Sequence, residues 1–211
     1  YVYENPTPYK NSYYILQFNF SGIDTGANVS IEEMHRQFSE LIYYGVIKCI
    51  SMYNLNIEIN KDNNAAGILR EFLTKFEQQN RKNKIYIMID EYDHFTNGIL
   101  KDDAKKFLTV LGVSGFVRSF YEVIKEKLET INPPIERFFA TGVAPVTLDS
   151  LTSGFNVATK ITNSPVFTSM CGLTEEEVKQ AIAESGIENP EEAFDKMREN
   201  YDGYIFNKID Q

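Results

Sequence analysis

The chain has 211 residues, 43% hydrophobic and 24% charged, so it can bury a full core and is too apolar for bulk disorder. Its formal charge of -9, from 30 acidic against 21 basic side chains, argues against a dedicated nucleic-acid-binding domain, which normally shows a basic face. No apolar run approaches the roughly 18 residues that span a bilayer, and the amino terminus, YVYENPTPYKN, is polar, so neither membrane insertion nor a secretory leader is expected.

The stretch YYILQFNFSG (Tyr13–Gly22) is aromatic and β-branched, partly alternates and ends at Ser-Gly; this predicts a strand. Asn28-Val-Ser30 then precedes Glu32 and Glu33, a helix start, and Met34, Phe38, Leu41 and Ile42 follow at helical spacing. Ala65–Gln79 repeats that pattern with Ile68, Leu69, Phe72, Leu73 and Phe76, and the basic stretch Arg81–Lys84 ends it. Ile85–Asp90, IYIMID, is a short, nearly continuous apolar run, the pattern of a strand buried on both faces of a parallel sheet. Gly115–Thr130 reads as a helix closed by Pro133-Pro134, and Arg137–Val143, RFFATGV, as another short buried strand. Strands alternating with helices in this order predict an α/β parallel sheet flanked by helices.

Residues 173–211 hold 11 acids against 4 bases. This composition shift places a boundary near Leu173, with a core over 1–172 and a helical part over 173–211. That part opens on Leu173-Thr174-Glu175-Glu176-Glu177, a capping-box sequence. Cys49 and Cys171 are the only cysteines and His35 and His94 the only histidines. They suggest no disulfide framework or structural zinc site, and fit a reducing, cytoplasmic location.

The sharpest chemical signal is IYIMIDEYDHF (Ile85–Phe95), where an apolar strand runs into Asp90-Glu91. In open α/β sheets ligands sit at the carboxyl ends of strands. An acid there can hold Mg²⁺, a hard cation that takes oxygen ligands. The next acid can position and polarise water. Asp90 and Glu91 are the candidates for these two roles. The plainer alternative is that acids follow the strand because the chain is emerging into solvent.

Thr141 ends the next buried strand, just before Gly142; it could orient water or sense a terminal phosphate, or simply satisfy a turn. A phosphate cradle of the form G-x-x-x-x-G-K-[ST] is missing, since none of the 12 glycines is followed by Lys. Asp93 reads as a cap for the loop after it ahead of a third acid at the site, His94 as a surface histidine ahead of a nucleotide contact, and His35 as structural. Arg118 and Arg137 could meet phosphates or pair with surface groups. A nuclease-type acid followed by Glu-x-Lys is matched only by Asp149 with Glu177-Val178-Lys179. That triplet falls on a capped helix rather than a strand, so the reading fails.

The chain resembles the AAA-ATPase-like family of P-loop proteins, whose members often carry a PD-(D/E)XK nuclease-like domain. The matching stretches are YENPTP, YYILQFNFSGI, IDEYDHFTN, TGVAPVTLDSLTSGFNVATKIT, GLTEEEV and NYDGYIF. They fall in family order along nearly the whole chain. The resemblance implies Asp90 as the Mg²⁺ acid, Glu91 as the water-activating acid and Thr141 as a sensor-type residue. It implies a helical lid from Leu173, with Tyr201-Asp202-Gly203-Tyr204 as a lid segment. His94-Phe95 stands where many relatives have a nearby Pro, and Ala144 where Ser is common.

The missing cradle is the larger departure. It leads to the expectation of a fragment whose first strand and phosphate loop precede Tyr1, inactive alone and less stable than the intact domain. The expected function is Mg²⁺-dependent ATP binding and hydrolysis that drives a conformational switch in a larger protein. The alternative is a non-hydrolysing scaffold or oligomerisation module for an attached nuclease-like effector. ATP, Mg²⁺, the neighbouring domains and a second copy of the chain are the expected partners; nucleic acid and membrane are not.

Overall fold

In a computed structural model the chain is described over residues 4–99, 109–112, 115–143, 157–162, 164–167 and 172–201. Ala144, Asp149, most of the TGVAPVTLDSLTSGFNVATKIT run, Cys171 and residues 202–204 lie outside these residues. The chain divides into two compact units, Tyr1–Ala158 and Thr159–Gln211.

The first unit contains strand β1 (Tyr13–Asn19), a 3-10 turn (Phe20–Gly22) and helices α1 (Ile31–Met52) and α2 (Ala65–Gln78). Strand β2 (Lys84–Asp90), helices α3 (His94–Ile99) and α4 (Phe116–Leu128) and strand β3 (Ile135–Ala140) follow. Two helices start on side-chain caps. Ser30 Oγ accepts the Glu33 N–H at 3.1 Å, and Asn64 Oδ1 accepts the Gly67 N–H at 2.8 Å; each satisfies an N–H that the helix itself cannot. Arg36 then bridges Glu33 and Glu40 along α1. With Gln37, it holds the Glu33 carboxyl down at about 2.

The second unit holds a 3-10 turn (Pro165–Phe167) and helices α5 (Glu175–Glu184) and α6 (Pro190–Tyr201). The expected capping box is present. Thr174 Oγ1 accepts the Glu177 N–H, and Glu177 Oε2 accepts the Thr174 N–H at 2.8 Å. That backbone bond lowers the Glu177 pKa. Glu177 and Lys179 therefore sit on a helix, not on the strand that the rejected nuclease reading required. No helix among the described residues is long and apolar enough to cross a membrane.

The three strands form one parallel sheet in the order β1-β2-β3. Asn19 lies opposite Asp90, and Ile89 opposite Ala140, so all three strands finish at one level. Helix α1 packs on β1, α4 on β3, and α2 on both helices. Leu16, Phe18, Ile85, Ile87, Ile89 and Ile135 point into the single buried cluster these helices close. Cys49 belongs to it, and burial pushes its thiol up to about 12, which leaves it inert at neutral pH.

One expectation changes. Burial along β2 alternates: Ile85, Ile87 and Ile89 are buried, while Lys84, Tyr86 and Met88 are only half-buried. The strand is covered fully on one face only. Tyr and Met carry enough apolar surface to pass for core in a sequence, yet both tolerate partial solvent contact. On β3, only Ile135 is buried.

Candidate functional site

The carboxyl ends of the three strands bring Asn19, Asp90 and Thr141 together. Thr141 Oγ1 donates to Asp90 Oδ1 at 2.7 Å. Asn19 Nδ2 donates to Asp90 Oδ2 at 3.3 Å. The Glu91 N–H also donates to Asp90 Oδ1, at 3.1 Å. All three side chains are exposed, so the carboxylate is held in shape yet open to a ligand. Backbone bonds continue the β2–β3 pairing past the strand ends: Thr141 N–H to Ile89 O at 2.8 Å and Tyr92 N–H to Thr141 O at 3.1 Å. These fix Thr141 beside Asp90 independently of its hydroxyl.

Two of the three residues follow from sequence, Asp90 and Thr141, and they meet directly. Asn19 does not follow from sequence; its neighbour across the sheet is 71 positions away. The Thr141 hydroxyl has one proton, and that proton is on Asp90, so its oxygen is left only lone pairs with which to face a water.

Glu91 is half-buried and has φ 54. The other positive-φ non-glycine residues described are Asn11, Asn54 and Asn80, and Asn tolerates the left-handed region far better than Glu does. A strained backbone at the second acid is the kind of outlier that clusters at functional sites. Glu91→Gly should therefore stabilise the first unit by about 1 kcal/mol, read by urea unfolding. A loss of stability would show that the Glu91 side chain, not its backbone, holds this turn.

Asp93 is fully buried, and its Oδ1 accepts the Val143 N–H at 3.2 Å. It thus ties down the loop after β3. The approach is close: a Cβ on Gly142 would come within 2.3 Å of Asp93 Oδ1 and 2.7 Å of the Tyr92 ring, so only glycine fits beside Thr141. His94 Nε2–H donates to Ile23 O at 2.7 Å, linking the turn after β1 to α3.

The remaining candidates lie elsewhere. His35 stacks on Phe116 with ring centroids 4.7 Å apart. Arg118 pairs with Glu122 one turn along α4 at 3.0 Å. Arg137 donates to Tyr13 Oη at 2.8 Å and lies over the Tyr9 ring at 4.9 Å. Arg81 meets Tyr14 Oη and Gln79, while Lys84 meets Asn132 at 2.7 Å. Those two bases sit at the amino ends of the strands, away from Asp90.

A parallel α/β sheet flanked by helices, with an acid ending its central strand and a hydroxyl ending the next, has the layout of a P-loop-like domain. The family model for AAA-ATPase-like proteins, described as predicted AAA-ATPase, matches residues 1–152, and the chain belongs to that family. No curated protein and no solved structure matches the chain.

Proposed function

We propose that this AAA-ATPase-like module takes part in Mg²⁺-dependent binding and hydrolysis of ATP, used to switch the conformation of a larger protein. The single observation behind this reading is the Asp90 carboxylate, exposed at the end of the central strand and held by Thr141 and Asn19. The donor set fits Mg²⁺. This cation prefers oxygen, and commonly takes one or two carboxylates with waters and substrate phosphates completing its octahedron. Among the described residues there is no group of three or more metal-ligating side chains, so phosphates and water would make up most of such a shell. When bound, Mg²⁺ would neutralise charge on the nucleotide's β- and γ-oxygens.

The chain's own residues have distinct parts in this scheme. Asp90 holds the cation, directly or through water. Glu91 orients the attacking water and takes its proton. Thr141, its proton already on Asp90, accepts a hydrogen bond from that water or reads its position. No G-x-x-x-x-G-K-[ST] cradle is among the 211 residues, so these three residues account for the cation and the water but not for a grip on the phosphates.

The test is ATP turnover by the full-length protein with Mg²⁺, after chelation, and with Asp90→Asn. The substitution keeps the side chain's shape and removes its charge. Turnover should disappear on chelation and fall by about 100-fold or more in the variant. Turnover by Asp90→Asn at the wild-type rate would overturn the reading. Nucleotide binding with no turnover in the wild type would favour the scaffold role instead.

A further inference from the structure

Asn19 is the last residue of β1 and the cross-strand partner of Asp90. Its amide is used at both ends. Oδ1 accepts the Ser21 N–H at 2.9 Å, capping the 3-10 turn, and Nδ2 donates to Asp90 Oδ2. That arrangement fixes the amide's orientation. A flipped amide would set NH₂ against the Ser21 N–H and its oxygen against the carboxylate, both repulsive.

The consequence for Asp90 can be counted. A carboxylate has about four acceptor positions on its two oxygens. Among the described residues, Thr141 and the Glu91 N–H occupy two on Oδ1, and Asn19 occupies one on Oδ2. One position remains, on Oδ2. The three donors come from the ends of three separate strands, so they also fix the plane of the carboxylate.

We propose that Asn19 is a positioning residue for Asp90: its amide makes Asp90 a single-oxygen ligand for the divalent cation of a nucleoside triphosphate. The assignment deepens the nucleotide reading and stands on it. Without the amide, Oδ2 has a second open position and the carboxylate loses one of its three restraints. Outer hydrogen-bonding partners of this kind typically contribute 10- to 100-fold to metal affinity or activity.

The competing role is purely structural: Asn19 caps the turn and its contact with Asp90 is incidental. Two substitutions separate these roles in the full-length protein. Asn19→Ser keeps an oxygen that can accept the Ser21 N–H but has no NH₂ to reach Asp90. Asn19→Asp keeps the capping oxygen and places a second carboxylate beside the first. Two quantities are read. One is the Mg²⁺ concentration for half-maximal turnover. The other is the affinity of a fluorescent ATP analogue with Mg²⁺ and with EDTA.

Asn19→Ser should raise the Mg²⁺ half-saturation about 10-fold or more and leave binding in EDTA unchanged. Asn19→Asp should lower the half-saturation, because two carboxylates attract the cation together, while turnover falls. Opposite shifts are not expected of a cap that both variants preserve. If one variant fails to fold, the other still decides by the sign of its shift. Wild-type Mg²⁺ dependence in the folded variants, with Asp90→Asn inactive, would overturn the positioning role alone. Wild-type Mg²⁺ dependence in Asp90→Asn would overturn the nucleotide reading and this assignment with it.

Discussion

Glu91→Gln in the full-length protein should leave Mg²⁺-dependent ATP binding within about twofold and reduce turnover by about 10²- to 10⁴-fold, the usual worth of a general base. The substitution is nearly isosteric and removes only the basic oxygen. The backbone around it is pinned from both sides: the Glu91 N–H bonds Asp90 Oδ1, and Glu91 O accepts the His94 N–H at 3.0 Å. Gln should therefore occupy the same turn, φ 54 included, and the loss should appear in kcat rather than in KM. Single-turnover measurements with radiolabelled ATP, alongside binding by equilibrium dialysis, separate the two. Unchanged turnover would remove Glu91 from the chemistry. A joint loss of binding and turnover would instead make it a ligand of the cation or the nucleotide.

The positions of the chemical groups were legible in sequence to different degrees, for physical reasons. Asp90 and Thr141 were visible because each ends a short apolar run, and strand ends in an open α/β sheet are where ligands are met. The Thr174 capping box was visible because it is local, spanning three residues of one helix. Asn19 was hidden among eighteen asparagines. Nothing near it in sequence shows that β1 lies beside β2 in the register that sets it opposite Asp90. Its role is a product of non-local pairing, which no periodicity reports.

The left-handed backbone of Glu91 was hidden for another reason. Glycine or asparagine usually marks such a position, and here a glutamate occupies it against local preference. The one-sided burial of β2 was missed because Tyr86 and Met88 are apolar enough to mimic a buried run. The closeness of Gly142 to Asp93 and Tyr92 was likewise invisible, since Tyr92 and Asp93 follow a different strand. Local chemistry was readable, and the contacts that aim it across the sheet were not.

Phe120→Ala should destabilise the first unit by about 3–5 kcal/mol, the usual loss for a buried aromatic cut to Ala. Phe120 is fully buried on α4. Its ring meets Phe18 at 5.7 Å, Phe20 at 6.1 Å and Phe38 at 5.4 Å between centroids, each edge to face. Edge-to-face pairs add about 0.5–1.5 kcal/mol beyond the area they bury, so the position belongs at the upper end of the range. The cavity would open in the middle of three elements: β1, α1 and α4. Collapse to fill it would have to move Phe18 or Phe20, the two residues that flank Asn19. The stability loss should therefore come with a functional one. At temperatures where the variant remains folded, its Mg²⁺ half-saturation should shift in the same direction as that of Asn19→Ser. Phe120→Leu, which refills much of the volume, should recover most of both. Urea unfolding and Mg²⁺ titration of turnover on the same preparations test this pairing. A loss below about 1 kcal/mol would mean the aromatic cluster is less tightly packed than these distances indicate. A full stability loss with unchanged Mg²⁺ dependence would show that the end of β1 holds Asn19 in place without the core beneath it.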